Sequence, residues 1–410
     1  MNYKDKRVLI SGIGGFVGSY LAQVLLKKGA IVFGTRKTEL EGKKPKNLVD
    51  KKIIDKVKLI EADLLDKDSL INTLRISKPC FIFHLAAQSS VHKSFLNPDV
   101  TFEINVKGTG NLLEAIKAED IKPRILFAGT SDEYGFVAVN EKQIERYVKW
   151  NKKLFPAPEY IPEIPISETN PLRPMSPYAI SKIEGDRMMR DYYNAFGIPT
   201  IVARAFNHEG AGRGLDFVTS IITKQVVEFK SGKIDYIEIG NINALRDWSH
   251  VKDIVKGYLL ILKKGKPGEI YNIGSGRTNS VLTYILLALK CVELFPKKLY
   301  TIKNNKVVDN PLEEDKKLFE GFDFYKSRID RLLVENTVEF EIEDEGIIIE
   351  TDKQDVKIIF NIDRFRPSDI PLVICDNRKI KKLGFKVNYS LEDIVKEQVK
   401  YFIKINKKHR

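Results

Sequence analysis

Cysteine is scarce and odd in number: Cys80, Cys291 and Cys375 lie far apart. They form neither a zinc motif nor a disulfide framework, and they read as buried apolar thiols. No apolar run approaches the roughly 20 residues that a membrane span needs. The segment Met1-Asn2-Tyr3-Lys4-Asp5-Lys6-Arg7 leads only into a short strand-like stretch, Val8 to Ile10, whereas a secretory signal needs a longer apolar core and a cleavage site. The chain therefore reads as cytoplasmic. It also lacks an arginine-rich stripe with interleaved aromatics. A net charge of +13, from 68 basic and 55 acidic residues in 410, thus favours an anionic partner without pointing to nucleic acid. What remains is an ordinary globular composition: 43% hydrophobic, 30% charged and 10% aromatic. That is too apolar for disorder, and the length suits two domains or one large α/β unit.

Apolar strand candidates alternate with amphipathic helices. Arg7-Val8-Leu9-Ile10 reads as a buried strand, followed by a glycine turn, a helix over 19–28 closed by Gly29, and a second strand at Ile31-Val32-Phe33-Gly34. Val57 to Ile60, Cys80 to Leu85, Arg124 to Ala128 and Pro199 to Arg204 continue the series, with helices over 99–118 and 176–196 between them. This pattern predicts an α/β fold, a Rossmann-type doubly wound parallel sheet with a smaller C-terminal substrate domain. Residues 1–175 form the dinucleotide-binding part, to which strands near 199–205 and 235–275 return; residues 176–410 are mainly substrate-binding. Two stretches break the rhythm. Phe136 to Ser167, with Trp150 and several prolines, reads as an elaborated loop. About 294–361 reads as a β-rich insertion with strands at Val338–Ile342, Gly346–Glu350 and Val356–Phe360. No internal repeat, low-complexity tract or flexible linker is evident.

Gly12-Ile13-Gly14-Gly15-Phe16-Val17-Gly18 carries glycines at the spacing G-x-x-G-x-x-G between a strand and a helix. Such a turn lets backbone approach a pyrophosphate, whose charge then lies on the helix N-terminus. The second strand ends Thr35-Arg36-Lys37, with no acid before Glu39. Two cations there suit a ribose 2′-phosphate, so NADP is expected over NAD. Tyr178-Ala179-Ile180-Ser181-Lys182 sets a phenol and an ammonium four apart on one helix face. A neighbouring ammonium, together with an oxidised nicotinamide, lowers a phenol's pKa from about 10 toward use as a base.

With Gly12, Gly15, Gly18, Tyr178 and Lys182 together, the chain resembles the extended short-chain dehydrogenase/reductase family over about 7–135, 165–290 and 364–402. Within it, the nucleotide-sugar branch is the nearer likeness: the GDP-mannose 4,6-dehydratases and GDP-4-keto-6-deoxymannose reductases. The words that carry this are Arg204-Ala205-Phe206-Asn207-His208-Glu209, Arg213-Gly214, Arg246-Asp247-Trp248-Ser249-His250 and Arg366-Pro367-Ser368-Asp369. The resemblance implies a cofactor site of Gly12, Gly15, Phe16, Val17, Gly18, Arg36, Lys37, Asp63, Leu64, Leu85, Ala86, Ala87, Asn105 and Arg204, completed by Tyr178 and Lys182. It implies substrate contacts at Ser89, Glu133, Asn207, Arg213, Arg246 and Arg366, where arginine forks suit a diphosphate. His208 and His250 are expected to be structural. Catalysis would fall to Thr130, Asp132, Tyr178 and Lys182. Asn207-His208-Glu209, Arg213-Gly214 and Arg246-Asp247-Trp248 resemble the dehydratase, so a GDP-mannose-type 4,6-dehydratase is the first reading, with a reductase and a 4-epimerase behind it; Asp132, a carboxylate one methylene shorter, stands where the dehydratase has glutamate. The implied partner is a GDP-sugar or other nucleotide-sugar, with no metal, nucleic acid or membrane, in a homodimer or homotetramer.

Overall fold

The computed structural model describes residues 2–37, 44–151, 153–315, 327–365 and 369–408. The first six strands follow from the apolar runs: β1 (Arg7–Ser11), β2 (Ile31–Arg36), β3 (Lys58–Glu61), β4 (Phe81–His84), β5 (Arg124–Thr130) and β6 (Thr200–Ala205). With Ile270–Ile273 they form a sheet in the order Ile270–Ile273, β6, β5, β4, β1, β2, β3, every pairing parallel. Both faces are covered, as continuous apolar strands require. On one face Val8 and Ile10 meet Leu21 and Leu25 of helix α1 (Phe16–Lys27) and Ile254, Tyr258 and Ile261 of the helix Val251–Lys264. On the other, Leu9, Ile82 and Ile125 meet Leu70, Leu113 and Met189. The doubly wound Rossmann-type fold is the one expected.

Several expectations need correction. The helix Pro177–Phe196 was placed with the substrate part, yet Met189 lies in the core of the parallel sheet. Of the strands between 235 and 275, Ile270–Ile273 returns to that sheet but Ile237–Ile239 does not. It pairs instead with Val356–Phe360, the only parallel contact in a second sheet ordered Val307–Asp309, Pro296–Thr301, Gly346–Thr351, Val356–Phe360, Ile237–Ile239 among the described residues. Its apolar face shares one core with the helices Val281–Cys291 and Leu391–Lys408. Strands of the 294–361 segment are therefore part of a second core rather than an appendage.

Val338–Ile342 is not a strand: Phe340 gives both backbone groups to the Asn243 side chain, and a 3-10 turn follows at Ile342–Asp344. The supposed loop 136–167 contains a helix, Glu141–Asn151, because Ile144, Tyr147 and Val148 share a face that packs on Phe136, Ala138 and Leu154. Its return is anchored by a buried Glu163–Arg173 pair, 2.8 Å at two points. Of the cysteines, Cys375 is buried, Cys291 is intermediate and Cys80 is exposed; Cys80 sits just outside β4, its backbone bridging Arg7 and Arg124. No helix among the described residues is long and apolar enough to cross a membrane.

Candidate active site

The turn after β1 is shaped for close approach. Gly12 has φ +72°, and a Cβ on it would stand 3.0 Å from Ala86 backbone; one on Gly18 would stand 2.4 Å from Gly12 O. Gly15, the exposed N-cap of α1, brings no capping side chain, and the first turn holds no acid. The α1 amides and their dipole thus face outward unanswered, which fits a dinucleotide's pyrophosphate. Half-buried Phe16 and Val17 follow on that first turn. Ser11 Oγ accepts from the Leu85 and Ala86 amides at 3.1 Å, holding Leu85, Ala86 and Ala87 beside the glycines. Its own proton then goes to His84 Nδ1, 2.7 Å away, and burial, with Lys182 adding to it, pushes that imidazole down to about 3.

At the end of β2, Arg36 meets Glu61 at 2.6 Å and Lys37 meets Asp63 at 3.3 Å. The two cations sit where the sequence put them, each beside a carboxylate from the end of β3. Asp63 also accepts from Leu65 N, and Leu64 closes against Gly108, where a Cβ would stand 2.8 Å away. Asn105 is a correction. It is 3% exposed, and its amide is spent on Gln88 N, Gln88 O and Ser181 Oγ at 2.8 to 3.0 Å. It ties the cofactor loop to the helix of Tyr178 and Lys182, through a π-turn at Glu103–Lys107.

Ser176 caps that helix by accepting from Ala179 N, and Pro177 opens it. Tyr178 and Thr130 come together: burial pushes the phenol well above its ordinary range, the Asp132 carboxylate adds to this, and interaction with the Thr130 side chain opposes it. The sequence leads one to expect a phenol lowered by Lys182; in the chain itself, burial and a nearby acid outweigh the ammonium. Lys182 stands 4.0 Å over the Phe127 ring, and burial pushes it down, against Glu133 and Asp186. Thr130 ends β5, where its Oγ1 accepts from Asp132 N at 3.2 Å and opens the turn Ser131–Glu133.

Glu133 and Arg204 are 0% and 2% exposed and are held by other side chains. Glu133 Oε1 accepts from Thr130 N at 2.8 Å, and Oε2 lies 2.8 Å from Arg204 Nε. That second contact is an ion pair rather than an aligned hydrogen bond, because Nε points to Asp186 Oδ2, 2.9 Å away. Arg204 also reaches the Tyr134 hydroxyl, which donates to Asn272. Burial raises the Glu133 carboxyl, opposed by Arg204. The two residues form a foundation under the catalytic turn. Asp186, missed from the sequence, was legible as the middle of Lys182-Asp186-Arg190, a charged i, i+4, i+8 stripe; Arg190 meets it at 2.7 Å.

On the other side, two expected substrate residues carry orphaned atoms: Asn207 Oδ1 and Arg213 Nε are buried with no hydrogen-bond partner among the described residues. Such orphans are costly unless a ligand meets them. The Arg213 guanidinium lies 3.4 Å from the Phe217 ring and 5.2 Å from that of Phe16, with Glu209 at 3.7 Å, and its charge interacts with Tyr178. Arg246 is held by Asp369 Oδ1 at 2.6 Å and Ile370 O at 2.5 Å. Ser89 is exposed, and Arg366 lies outside the described residues, as does Glu39. His208 Nδ1 donates to Phe206 O, 2.8 Å away, while His250 caps the helix Val251–Lys264 and meets Glu397 at 3.0 Å. Among the described residues no cluster of His, Cys, Asp and Glu is arranged to hold a metal.

Comparison with known proteins agrees with this geometry. A GDP-mannose 4,6 dehydratase of Drosophila melanogaster is 33% identical over 301 residues, 71% of this chain and 69% of that protein. A GDP-mannose 4,6-dehydratase of Vibrio cholerae is 28% identical over 98% of this chain and 95% of its own length. The solved structure of RMD from Pseudomonas aeruginosa complexed with NADPH is similar in fold, with a TM-score of 0.65 at 22% identity over 98% of this chain and 99% of that one. Residues 8–274 match the NAD dependent epimerase/dehydratase family, and with the glycine turn, the tyrosine–lysine helix and the parallel sheet in place, the chain belongs to that family.

Proposed function

We propose that this protein is a GDP-mannose-type 4,6-dehydratase that uses NADP. The observation that carries the reading is the likeness to GDP-mannose 4,6-dehydratases. It is supported by the turn Ser131–Glu133, where Asp132 N donates to Thr130 Oγ1 at 3.2 Å and the Asp132 carboxylate acts with burial to raise the Tyr178 phenol. A reductase needs only a proton donor at the carbonyl it reduces, whereas a dehydratase needs a second acid–base group beside it. Bound nicotinamide supplies a positively charged hydride acceptor and a hydride to return. In the chain, phenolate Tyr178 accepts the proton of the sugar's 4-hydroxyl while Thr130 hydrogen-bonds the same oxygen. The resulting C4 carbonyl acidifies C5–H. Asp132 takes that proton and gives it to the C6 oxygen, which leaves as water to form a C5=C6 double bond. The hydride first removed from C4 is returned at C6 and a solvent-derived proton is added at C5, which gives the 4-keto-6-deoxy sugar. Lys182 holds the cofactor's ribose, and Asn207 and Arg213 meet the diphosphate with their orphaned atoms.

Arg36 and Lys37 support NADP, since two cations at the end of β2 suit a ribose 2′-phosphate. Leu96, Val100 and Ile180, exposed at 65%, 48% and 40% beside the helices Pro98–Phe102 and Pro177–Phe196, support assembly at least as a homodimer. Asp132→Asn tests the central claim. The variant should reduce its bound cofactor on meeting GDP-mannose yet release no 6-deoxy product, and wild type in heavy water should place deuterium at C5. Mass spectrometry that finds dehydration at full speed in the variant would remove Asp132 from the reaction. A gain of two hydrogens by a 4-keto substrate in wild type would favour the reductase instead.

A further inference from the structure

The chain leading to Arg213 does little to fix that side chain by itself. Gly210 has φ +155° and Gly212 has φ +88°, so two of the three residues before the arginine lie where glycine alone is at ease. Arg213 N donates to Gly210 O at 3.3 Å, which closes a turn over residues 210–213. The arginine's Nε is buried without a hydrogen-bond partner among the described residues, and its nearest carboxylate is Glu209 Oε2 at 3.7 Å. A guanidinium so placed keeps one position only if this turn and this carboxylate are themselves held.

Side chains far away in sequence hold them. From α1, the Tyr20 hydroxyl donates to Ala211 O at 2.8 Å. From the helix Leu391–Lys408, buried Gln398 donates through Nε2 to Gly210 O at 3.3 Å and to Glu209 Oε2 at 3.4 Å. One carboxamide thus meets both supports of Arg213: the carbonyl that receives its amide and the carboxylate beside its guanidinium. Its orientation is set from behind, because the buried Tyr284 hydroxyl donates to Gln398 Oε1 at 2.6 Å. A flipped carboxamide would turn an oxygen toward two acceptors. Glu209 Oε2 also accepts from Thr219 Oγ1 at 2.6 Å. Burial raises the Glu209 carboxyl, and Arg213, Thr219 and Gln398 oppose this, so the two neutral donors favour the charged form that attracts the arginine. Gln398 and Tyr284 both lie beyond residue 274, where the family match ends.

We infer that Gln398 is a positioning residue for the nucleotide-sugar: through Glu209 and the 210–213 turn it sets Arg213 for the diphosphate. The inference rests on the reading above, in which Arg213 meets that diphosphate. Gln398 acts on the substrate only by way of the arginine.

The test is a double-mutant cycle on the NADP-loaded protein, with GDP affinity read by calorimetry and turnover of GDP-mannose alongside. Gln398→Met keeps the side chain's length and removes its donor and acceptor. It should weaken GDP about fivefold and raise KM by a similar factor, with kcat little changed. Arg213→Leu should weaken GDP more than this. The double variant should bind GDP no more weakly than Arg213→Leu alone, since nothing is left to position. Losses that multiply in the double variant would mean that Gln398 acts independently of the arginine, and would overturn the inference. GDP affinity unchanged in a folded Gln398→Met would overturn it as well. Should Gln398→Met fail to fold, Tyr284→Phe, which removes only the hydroxyl that orients the carboxamide, takes its place in the cycle with the same outcomes. Either contrary result leaves the dehydratase reading standing, whereas a wild type that binds NADP but no GDP overturns both.

Discussion

The two ends of the candidate site are held by different physics. At the hydride end the catalytic turn rests on full charges sealed from water: Glu133, Arg204 and Asp186, each at most 2% exposed. At the far end Arg246 is reached through a chain of carboxamides and backbone groups, Asn243, Asn241 and Phe340, that carries a single carboxylate, Asp369. Removing one member of a buried ion cluster leaves another unpaired, at a cost of about 3–5 kcal/mol. Losing one neutral hydrogen bond costs about 1 kcal/mol. The first construction fixes Thr130 under the tyrosine and resists change. The second tolerates substitution, as suits the part of a site that chooses among substrates.

Tyr178→Phe should give the largest effect: turnover lower by about 10²–10⁴-fold, with GDP and NADP affinities nearly unchanged by titration. Full activity in that variant would break the account of the hydride end. Next comes Arg204→Leu, expected to cost about 3–5 kcal/mol in denaturant unfolding because Glu133 and Asp186 are left facing each other. Burial already raises the Glu133 carboxyl. A group whose folded pKa is raised contributes stability below its unfolded pKa and loses it as pH rises, so the deficit should be larger at pH 8 than at pH 5. Asp330→Ala addresses the far end. Buried Asp330 accepts from Asn279 Nδ2, Ser280 N and Thr283 Oγ1 at 2.8 to 2.9 Å, pinning the helix Arg328–Val334. Its loss should cost about 2 kcal/mol and weaken GDP binding more than NADP binding. The smallest effect concerns neither end. Burial opposes the Glu397 carboxylate, but His250 and Lys252 outweigh it and bring its pKa from 4.5 down to about 2. Its contribution is present above about pH 4.5 and is lost as pH falls toward 2. Glu397→Gln should therefore lower stability by about 1 kcal/mol at pH 7, after discount for partial exposure, and by nothing near pH 2. A difference that grew on acidification would contradict the pairing.

The hydride end was largely legible in the sequence because its demands are local. A glycine turn must follow a strand, and Tyr178 and Lys182 must lie one helical turn apart. What the sequence hid there was depth: Glu133, Asn105 and Arg204 are all buried, and only packing reveals the side chains that hold them. Asp186 could have been found from the i, i+4 charge stripe. The far end was opaque for a different reason. Asn243 and Phe340 are 97 residues apart, and no period or propensity links them. The prolines between 154 and 174 hid the helix Glu141–Asn151, whose apolar face includes Ile144, Tyr147 and Val148. Val338–Ile342 has a strand's composition, but Asn243 claims its backbone.

The pairing of Ile237–Ile239 with Val356–Phe360 sets an order of assembly on the growing chain. Ile237 faces Ile358, so the shorter strand emerges from the ribosome about 120 residues before its neighbour exists. At the usual 5–20 residues per second, that is roughly 6–24 seconds in which the strand has no partner strand, while Gln225, which bonds both backbone groups of Glu238, answers its edge. The dinucleotide half has by then delivered all seven of its strands, since Ile270–Ile273 is its last. One half of this enzyme can assemble its sheet while the tail is still being made, lacking Ile380 and Phe385 of its core, and the other completes its sheet only when Val356–Phe360 is out.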